Sequence, residues 1–371
     1  MRRMTRWAGV VAMGWLSCMA MGLPTSRPAG VAPTTFFDET FPDGNGCMDR
    51  FKLFPVAPGK ESQLGYDKER GGYGVGGHMA LVRPVQASPR AILVLDIEFE
   101  PLAKDAQEPA ETEFGFVNLN RSVVNMKVIR SVNDGKPQAK LQFWSQTQGQ
   151  PEAKMLREIP LAESPAAAKW ELEYRHGMVV LREGDRVLGR ADTNTLGIPV
   201  AGVTWTQRGG RLICKRMTLS GAPPEALSEE QAATLRQAAG LNREAQALYR
   251  RKQWEEALAK MRESSALYVK IHGERHHDSG NSLLNLATIL RDKGDKDEAA
   301  GLFKKALDIH EETLGPDHPH TAMTRFEVGR SLLESGDGQG ARAMWTLCRD
   351  AWKDAYGPDW PLVRTLDEKL K

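Results

Sequence analysis

The chain has 371 residues, with 50 lysines and arginines against 48 aspartates and glutamates, a net charge of +2. That length is more than one ordinary core requires, so two domains are expected. Acidic and basic residues are interleaved and no basic block stands out, which excludes the electrostatic footprint of a nucleic-acid binder.

At the N-terminus Arg2, Arg3 and Arg6 precede an apolar run from Trp7 to Met21, and small residues at Cys18, Ala20 and Gly22 offer cleavage positions. Residues 1–22 therefore read as a signal peptide of bacterial type, for export to the periplasm, envelope or medium. The run falls short of the roughly 20 apolar residues that a span needs, and Pro24, Ser26 and Pro28 follow it, so no transmembrane helix is expected. Leu16-Ser17-Cys18 partly resembles a lipobox, which makes a lipid anchor at Cys18 the alternative to plain export; Trp15 in place of the usual leucine favours the latter. Residues 23–34 read as a linker.

Residues 35–221 read as an antiparallel β-sandwich. Ile92 to Glu100, Glu113 to Leu119, Asn125 to Val132 and Leu141 to Ser145 are short strand candidates. Trp170 to Tyr174 turns at His176-Gly177 into Met178 to Leu181, and Glu183-Gly184-Asp185 turns again into Val187-Leu188, a meander of hairpins. Val203 to Thr206, a turn at Gly209-Gly210 and a strand from Leu212 to Leu219 close the segment. No amphipathic helix interrupts it, which argues for a sandwich or jelly roll. Gly71 to Gly77 lacks the Lys-Ser/Thr of a phosphate loop and reads as turn or strand-edge glycine. Asp43-Gly44-Asn45-Gly46 has oxygen donors without EF-hand spacing. Asp96, Glu98 and Glu100 share one strand face, and Trp144, Trp170 and Trp205 could stack on sugar rings, although a solvated face and a packed core explain both sets. In an oxidising compartment Cys47 and Cys214, near the two ends of the segment, fit a closing disulfide as well as two buried thiols.

Trp170 to Gly189, Gly202 to Trp205 and Arg211 to Leu219 resemble the tail of laminin-G-like and concanavalin-like jelly rolls, and the 3-keto-disaccharide hydrolase-type domain of exported proteins. The resemblance implies a lectin-like fold and, as one alternative for function, binding or hydrolysis of glycans. No catalytic residue of that family maps onto this chain.

Pro223 and Pro224 end the strands within a short linker, 222–227, and Ser228 with Gln231 forms a capping box that opens a helical part. Ala257, Ala299 and Ala341 lie 42 apart, as do Gly273, Gly315 and Gly357. A period of this size marks a solenoid whose units share one core. Three units are expected, about 233–274, 275–316 and 317–358, each of two helices, with residues 359–371 as a capping helix. Ala245, Ala287 and Gly329 occupy the position where the two helices approach closely; Met261, Phe303 and Trp345 supply the large knobs, and Ser264, Ala306 and Cys348 a small buried position.

Asn285-Leu286-Ala287, Gly294-Asp295, Glu298-Ala299, Phe303 to Leu307 and Leu314 to Pro319 resemble the 42-residue tetratricopeptide repeat of kinesin light chains. The resemblance implies a groove lined by the first helices that binds a protein or peptide. Asn285 stands at the family's groove asparagine, with Arg243 and Glu327 at the equivalent positions and Gln246 and Arg330 nearby. His272, His276, His277 and Asp278 cluster at one junction and His318 and His320 at the next; the recurrence of His276 as His318 reads as structural, and no metal or cofactor is expected. The expected function is an exported, non-enzymatic scaffold.

Overall fold

The computed structural model describes residues 34–39, 52–55, 63–88, 90–106, 108–118, 122–146, 153–193, 200–222 and 227–371. The segment expected to be a signal peptide, with Cys18, most of the first linker, Asp43 to Gly46 and Cys47 lie outside them. The chain divides into a strand unit and a helical unit.

In the strand unit, β5 (Arg90–Phe99) alternates so that Ala91, Leu93, Leu95, Ile97 and Phe99 are buried while Asp96 and Glu98 turn outward. This period of two is what half-buried strands require. β5 pairs with β10 (Ala167–Arg175), followed by β11 (Met178–Glu183) and β12 (Arg186–Asp192), the meander of hairpins expected from the sequence. A second set runs from β6 (Ala110–Asn118) through β7 (Val123–Asn133), β8 (Lys136–Gln146) and β9 (Lys154–Leu161). β9 was not among the strands expected, because its side chains are exposed or half-buried and carry little alternation.

β13 (Val200–Gly221) joins the two sets. The expected pair of strands around a Gly209-Gly210 turn is instead one 22-residue strand. Both glycines have positive φ, 62° and 57°, and the register slips there, so the strand bends without reversing. Up to Arg208 it pairs with β6, and from Leu212 with β5. Its other edge carries β4 (Gly72–Ser88) and then β1 (Thr34–Glu39). β2 (Lys52–Pro55) and β3 (Gln63–Asp67) pair with β4. The glycine run from Gly72 onward is therefore strand, and it is small for a reason: a Cβ on Gly72 would lie 2.7 Å from Ile213, and one on Gly74 would collide with the Arg211 guanidinium.

The bend folds one sheet over the other. Leu93, Leu95, Trp170, Leu172 and Leu181 from the first meet Phe114, Phe116, Met126, Val128 and Phe143 from the second in a single core. Phe116 and Tyr174 touch across the gap with ring centroids 5.9 Å apart. The unit is an antiparallel sandwich.

In the helical unit, α1 (Glu229–Arg250) and α2 (Trp254–His272), α3 (His277–Lys293) and α4 (Lys296–Thr313), and α5 (Pro319–Glu334) and α6 (Gly338–Tyr356) form three pairs, with α7 (Pro361–Leu370) after them. The capping box at Ser228 is present. Ala257, Ala299 and Ala341 are fully buried, as are Ala245 and Ala287. A Cβ on Gly329 would lie 2.6 Å from the Trp345 indole, which explains glycine at that close approach. Met261, Phe303 and Trp345 are buried as large knobs, and Ser264, Ala306 and the free thiol Cys348 are wholly enclosed. Gly273, Gly315 and Gly357 take φ of 82°, 93° and 90°, a region that costs other residues strain. Val363 and Leu366 of α7 pack against Trp352 and Trp360.

Candidate functional site

The first helices of the pairs, α1, α3 and α5, carry the residues predicted to line a groove. The structure sorts these into two networks. In one, the amides of Asn285 and Gln246 both donate to Asn242 Oδ1, at 3.5 and 3.2 Å. Gln246 is buried and Asn285 half-buried, so the Asn285 carboxamide is anchored through its nitrogen. Its carbonyl oxygen accepts no hydrogen bond among the described residues.

The second network centres on Arg291, which the sequence reading passed over. Its guanidinium pairs with Glu327 and with Asp292 Oδ1 (3.0 Å), and lies 5.4 Å from the centre of the Phe303 ring. Tyr249 donates to the other Asp292 oxygen at 2.6 Å, and Arg330 Nη1 contacts Glu327 Oε2 at 3.2 Å. Glu327 is 3% exposed and engaged by two arginines, so it is a buried counter-ion and not a free groove acid. Burial opposes the charge on Arg291, but Glu327 and Asp292 outweigh it and raise its pKa. Arg243 stands exposed and joins neither network. Register at 42 residues could not flag Arg291, because its equivalents are Tyr249 and Leu333.

The His276/His318 recurrence has a local cause. Each imidazole caps the following helix, accepting at Nδ1 from the backbone N–H two residues on, Asp278 at 3.2 Å and His320 at 3.1 Å. Burial, with a contribution from His276, pushes the His272 pKa down to about 4.

In the strand unit the sugar-stacking expectation is corrected for two of three tryptophans. Trp170 and Trp205 are core residues, tilted against Phe99 and Phe114, and cannot meet a ligand. Asp96, Glu98 and Glu100 do face outward, but each carries a cation: Lys169 at 3.6 Å, Lys215, and Arg70 with Arg211 at 2.8 Å. Trp144 lies instead on the outer face of the second sheet, where register aligns Thr204, Gly115, Asn125, Trp144 and Met155 across five strands. The adjoining row holds Glu113, Lys127, Gln142 and Glu158. Lys127 pairs with Glu111 and Glu113 at 3.1 and 3.0 Å, Arg208 also pairs with Glu113, and Trp144 Nε1 donates to Gln142 at 2.9 Å. Cys214 is buried, its Sγ 3.5 Å from the Arg216 carbonyl; its pairing with Cys47 falls outside the described residues.

The strand unit is a sandwich, and the helical unit is a run of tetratricopeptide-like helix pairs. The family model for the tetratricopeptide repeat matches residues 236–312. The clustered mitochondria protein homolog of Debaryomyces hansenii is 30% identical over 92 residues, and that of Aspergillus oryzae 30% over 101, covering 25% and 27% of this chain. The chain spans only 7% and 8% of those two proteins. Among solved structures, a Podosopora anserina kinesin light chain with nearly identical TPR-like repeats aligns with 37% of this chain and 64% of its own, at 20% identity and a TM-score of 0.35. A glycoside hydrolase family 16 endo-glucanase from Bacteroides ovatus aligns with 49% of this chain and 99% of its own, at 9% identity and a TM-score of 0.37. Among the described residues no helix is long and apolar enough to cross a membrane.

Proposed function

We propose that the chain is an exported, non-enzymatic scaffold that binds a protein or an extended peptide on the first-helix face of its repeats. The observation that carries this reading is Asn285, anchored through its amide nitrogen on Asn242 with its carbonyl oxygen left to accept a backbone N–H of the ligand. Arg243, exposed at the equivalent position one repeat earlier, favours a ligand that also carries a carboxylate. Export rests on the Arg2–Met21 segment, and a lipid anchor would rest on Cys18; mass spectrometry of the mature N-terminus distinguishes cleavage near Ala20 or Gly22 from lipidated Cys18.

The test is a peptide array probed with the full chain. Peptides that bind should lose about tenfold or more in affinity with Asn285→Ala, with unchanged circular dichroism. Binding that survives that substitution, or an array that yields no ligand, removes the support for this reading.

One feature favours a second reading, glycan binding by the sandwich. Half-buried Trp144 is flanked by Asn125 and Gln142 on one sheet face, and Thr204 donates to Asn125 at 3.0 Å, an aromatic surface beside hydrogen-bonding side chains. Specific retention on a glycan array, lost with Trp144→Ala, would move the function to the strand unit.

A further inference from the structure

The junction between the first two helix pairs differs from the next one in its chemistry. Forty-two residues on from His272, His276, His277 and Asp278 stand Leu314, His318, Pro319 and His320. The helix-capping role accounts for His276 and His318 alike, but it explains neither His272 nor the carboxylate of Asp278.

These side chains converge. One donor atom from each of His272, His276 and Asp278 lies within 4.8 Å of the other two. Asp278 Oδ2 is the hub, 3.6 Å from His272 Nε2 and 3.7 Å from His276 Nδ1. The other oxygen, Oδ1, faces His277 Nε2 at 3.5 Å, a contact that orients the carboxylate from behind. The His272 and His276 rings lie 4.1 Å apart and nearly parallel.

His272 is the independent observation. Its side chain is 2% exposed, its Nδ1 has no hydrogen-bond partner among the described residues, and its Nε2 is directed at Asp278 from beyond hydrogen-bond reach. A buried imidazole held without hydrogen bonds is costly to the fold, and an ion at Nε2 would supply a partner. The corresponding Leu314 shows that the fold itself is served by an apolar side chain there.

We propose that His272, His276 and Asp278 bind a divalent transition-metal ion of the zinc class. An ion about 2.0–2.2 Å from nitrogen and carboxylate ligands in tetrahedral geometry holds neighbouring donors roughly 3.3 Å apart. Small rotations of the two rings close the present 3.6 and 3.7 Å separations and turn their lone pairs toward a common point. Ligation at His276 Nδ1 replaces a long cap bond of 3.2 Å. Two imidazoles and a carboxylate suit zinc and its neighbours and not calcium or magnesium, which prefer all-oxygen shells. A fourth position remains for water or a partner's side chain, reached past Asp278, the most exposed of the three. The ion would tie the end of α2 to the start of α3 and so set the angle between the first two repeats.

The experiment is zinc titration of the chelator-treated full chain by calorimetry, with cobalt(II) absorption as a second readout. Expected are a stoichiometric site, a visible cobalt band of four- or five-coordinate type, and a higher unfolding midpoint with zinc. His272→Leu installs the residue of the next repeat and should keep the metal-free midpoint; it and Asp278→Asn should each weaken zinc binding about tenfold or more. Absence of uptake by the wild type in large zinc excess, or uptake unchanged by His272→Leu, overturns the proposal.

Discussion

Two arginines and one glutamate show how a groove position becomes a structural one. Glu327 was a candidate ligand contact by register, yet Arg291 and Arg330 enclose it. Removing one partner of a buried pair strands the other charge. Glu327→Ala is therefore expected to lower stability by about 3–5 kcal/mol in urea unfolding, whereas exposed Arg243→Ala should stay within about 0.5 kcal/mol. Equal effects of the two would contradict this division of roles.

His310 is the second residue-scale case. Its Nε2 lies 3.3 Å from the His277 carbonyl, and Trp352, 42 residues on, donates from Nε1 to the Pro319 carbonyl at 3.2 Å. The repeat reuses one contact with two different rings. Burial lowers the His310 pKa to about 4. Between the ordinary histidine value near 6.5 and about 4, the unfolded chain takes up a proton that the folded chain refuses, so stability present at neutral pH is lost as pH falls through that window. The loss at pH 4 is on the order of 3 kcal/mol, and His277 and His320, lowered in the same direction mainly by burial, add to it. Urea midpoints measured from pH 7.5 down to 4 should show the decline, with a shallower slope for His310→Asn; an unaltered slope would remove His310 from the account.

At the scale of elements, most of the helical part was legible in the sequence. Period, capping residues and glycine stops are local signals, each written within a few residues of the turn they specify. Gly329 is an informative instance, since a small side chain was expected from register and the structure names what it avoids, the Trp345 indole. Alanine there would improve intrinsic helix propensity by about 1 kcal/mol, but overpacking against a ring that is itself held to the Phe326 carbonyl costs about 1–3 kcal/mol. Gly329→Ala should lower the melting temperature of the helical unit; a rise would mean that α5 and α6 have room to separate. The strand elements were legible only where they alternate. β5 and the β10–β12 meander were, β9 was not, and the Gly209-Gly210 step looked like a turn because two glycines say only that positive φ is needed there.

At the scale of the whole molecule, the strand unit depends on its last strand. β13 pairs with β1, so Thr34 meets Gly221, and it also pairs with β4, β5 and β6. Contacts this distant in sequence form late and cooperatively. A fragment ending at residue 199 should therefore show no cooperative unfolding transition, and a sharp transition in that fragment would show that the remaining strands make a core without β13.

The sequence by itself determined that there are two parts, one of alternating strands and one of helix pairs repeating every 42 residues, because periodicity, caps and repeat spacing act over short range. Only the tertiary structure decided which polar side chains meet. Arg291 of α3 reaches Glu327 of α5, Trp170 and Trp205 turn into the core while Trp144 faces out, and His272 comes to rest beside Asp278 with no hydrogen bond at Nδ1 among the described residues. A pattern of polar and apolar positions states that a residue faces a neighbour but not which neighbour, and that choice is made by packing between segments far apart in the chain.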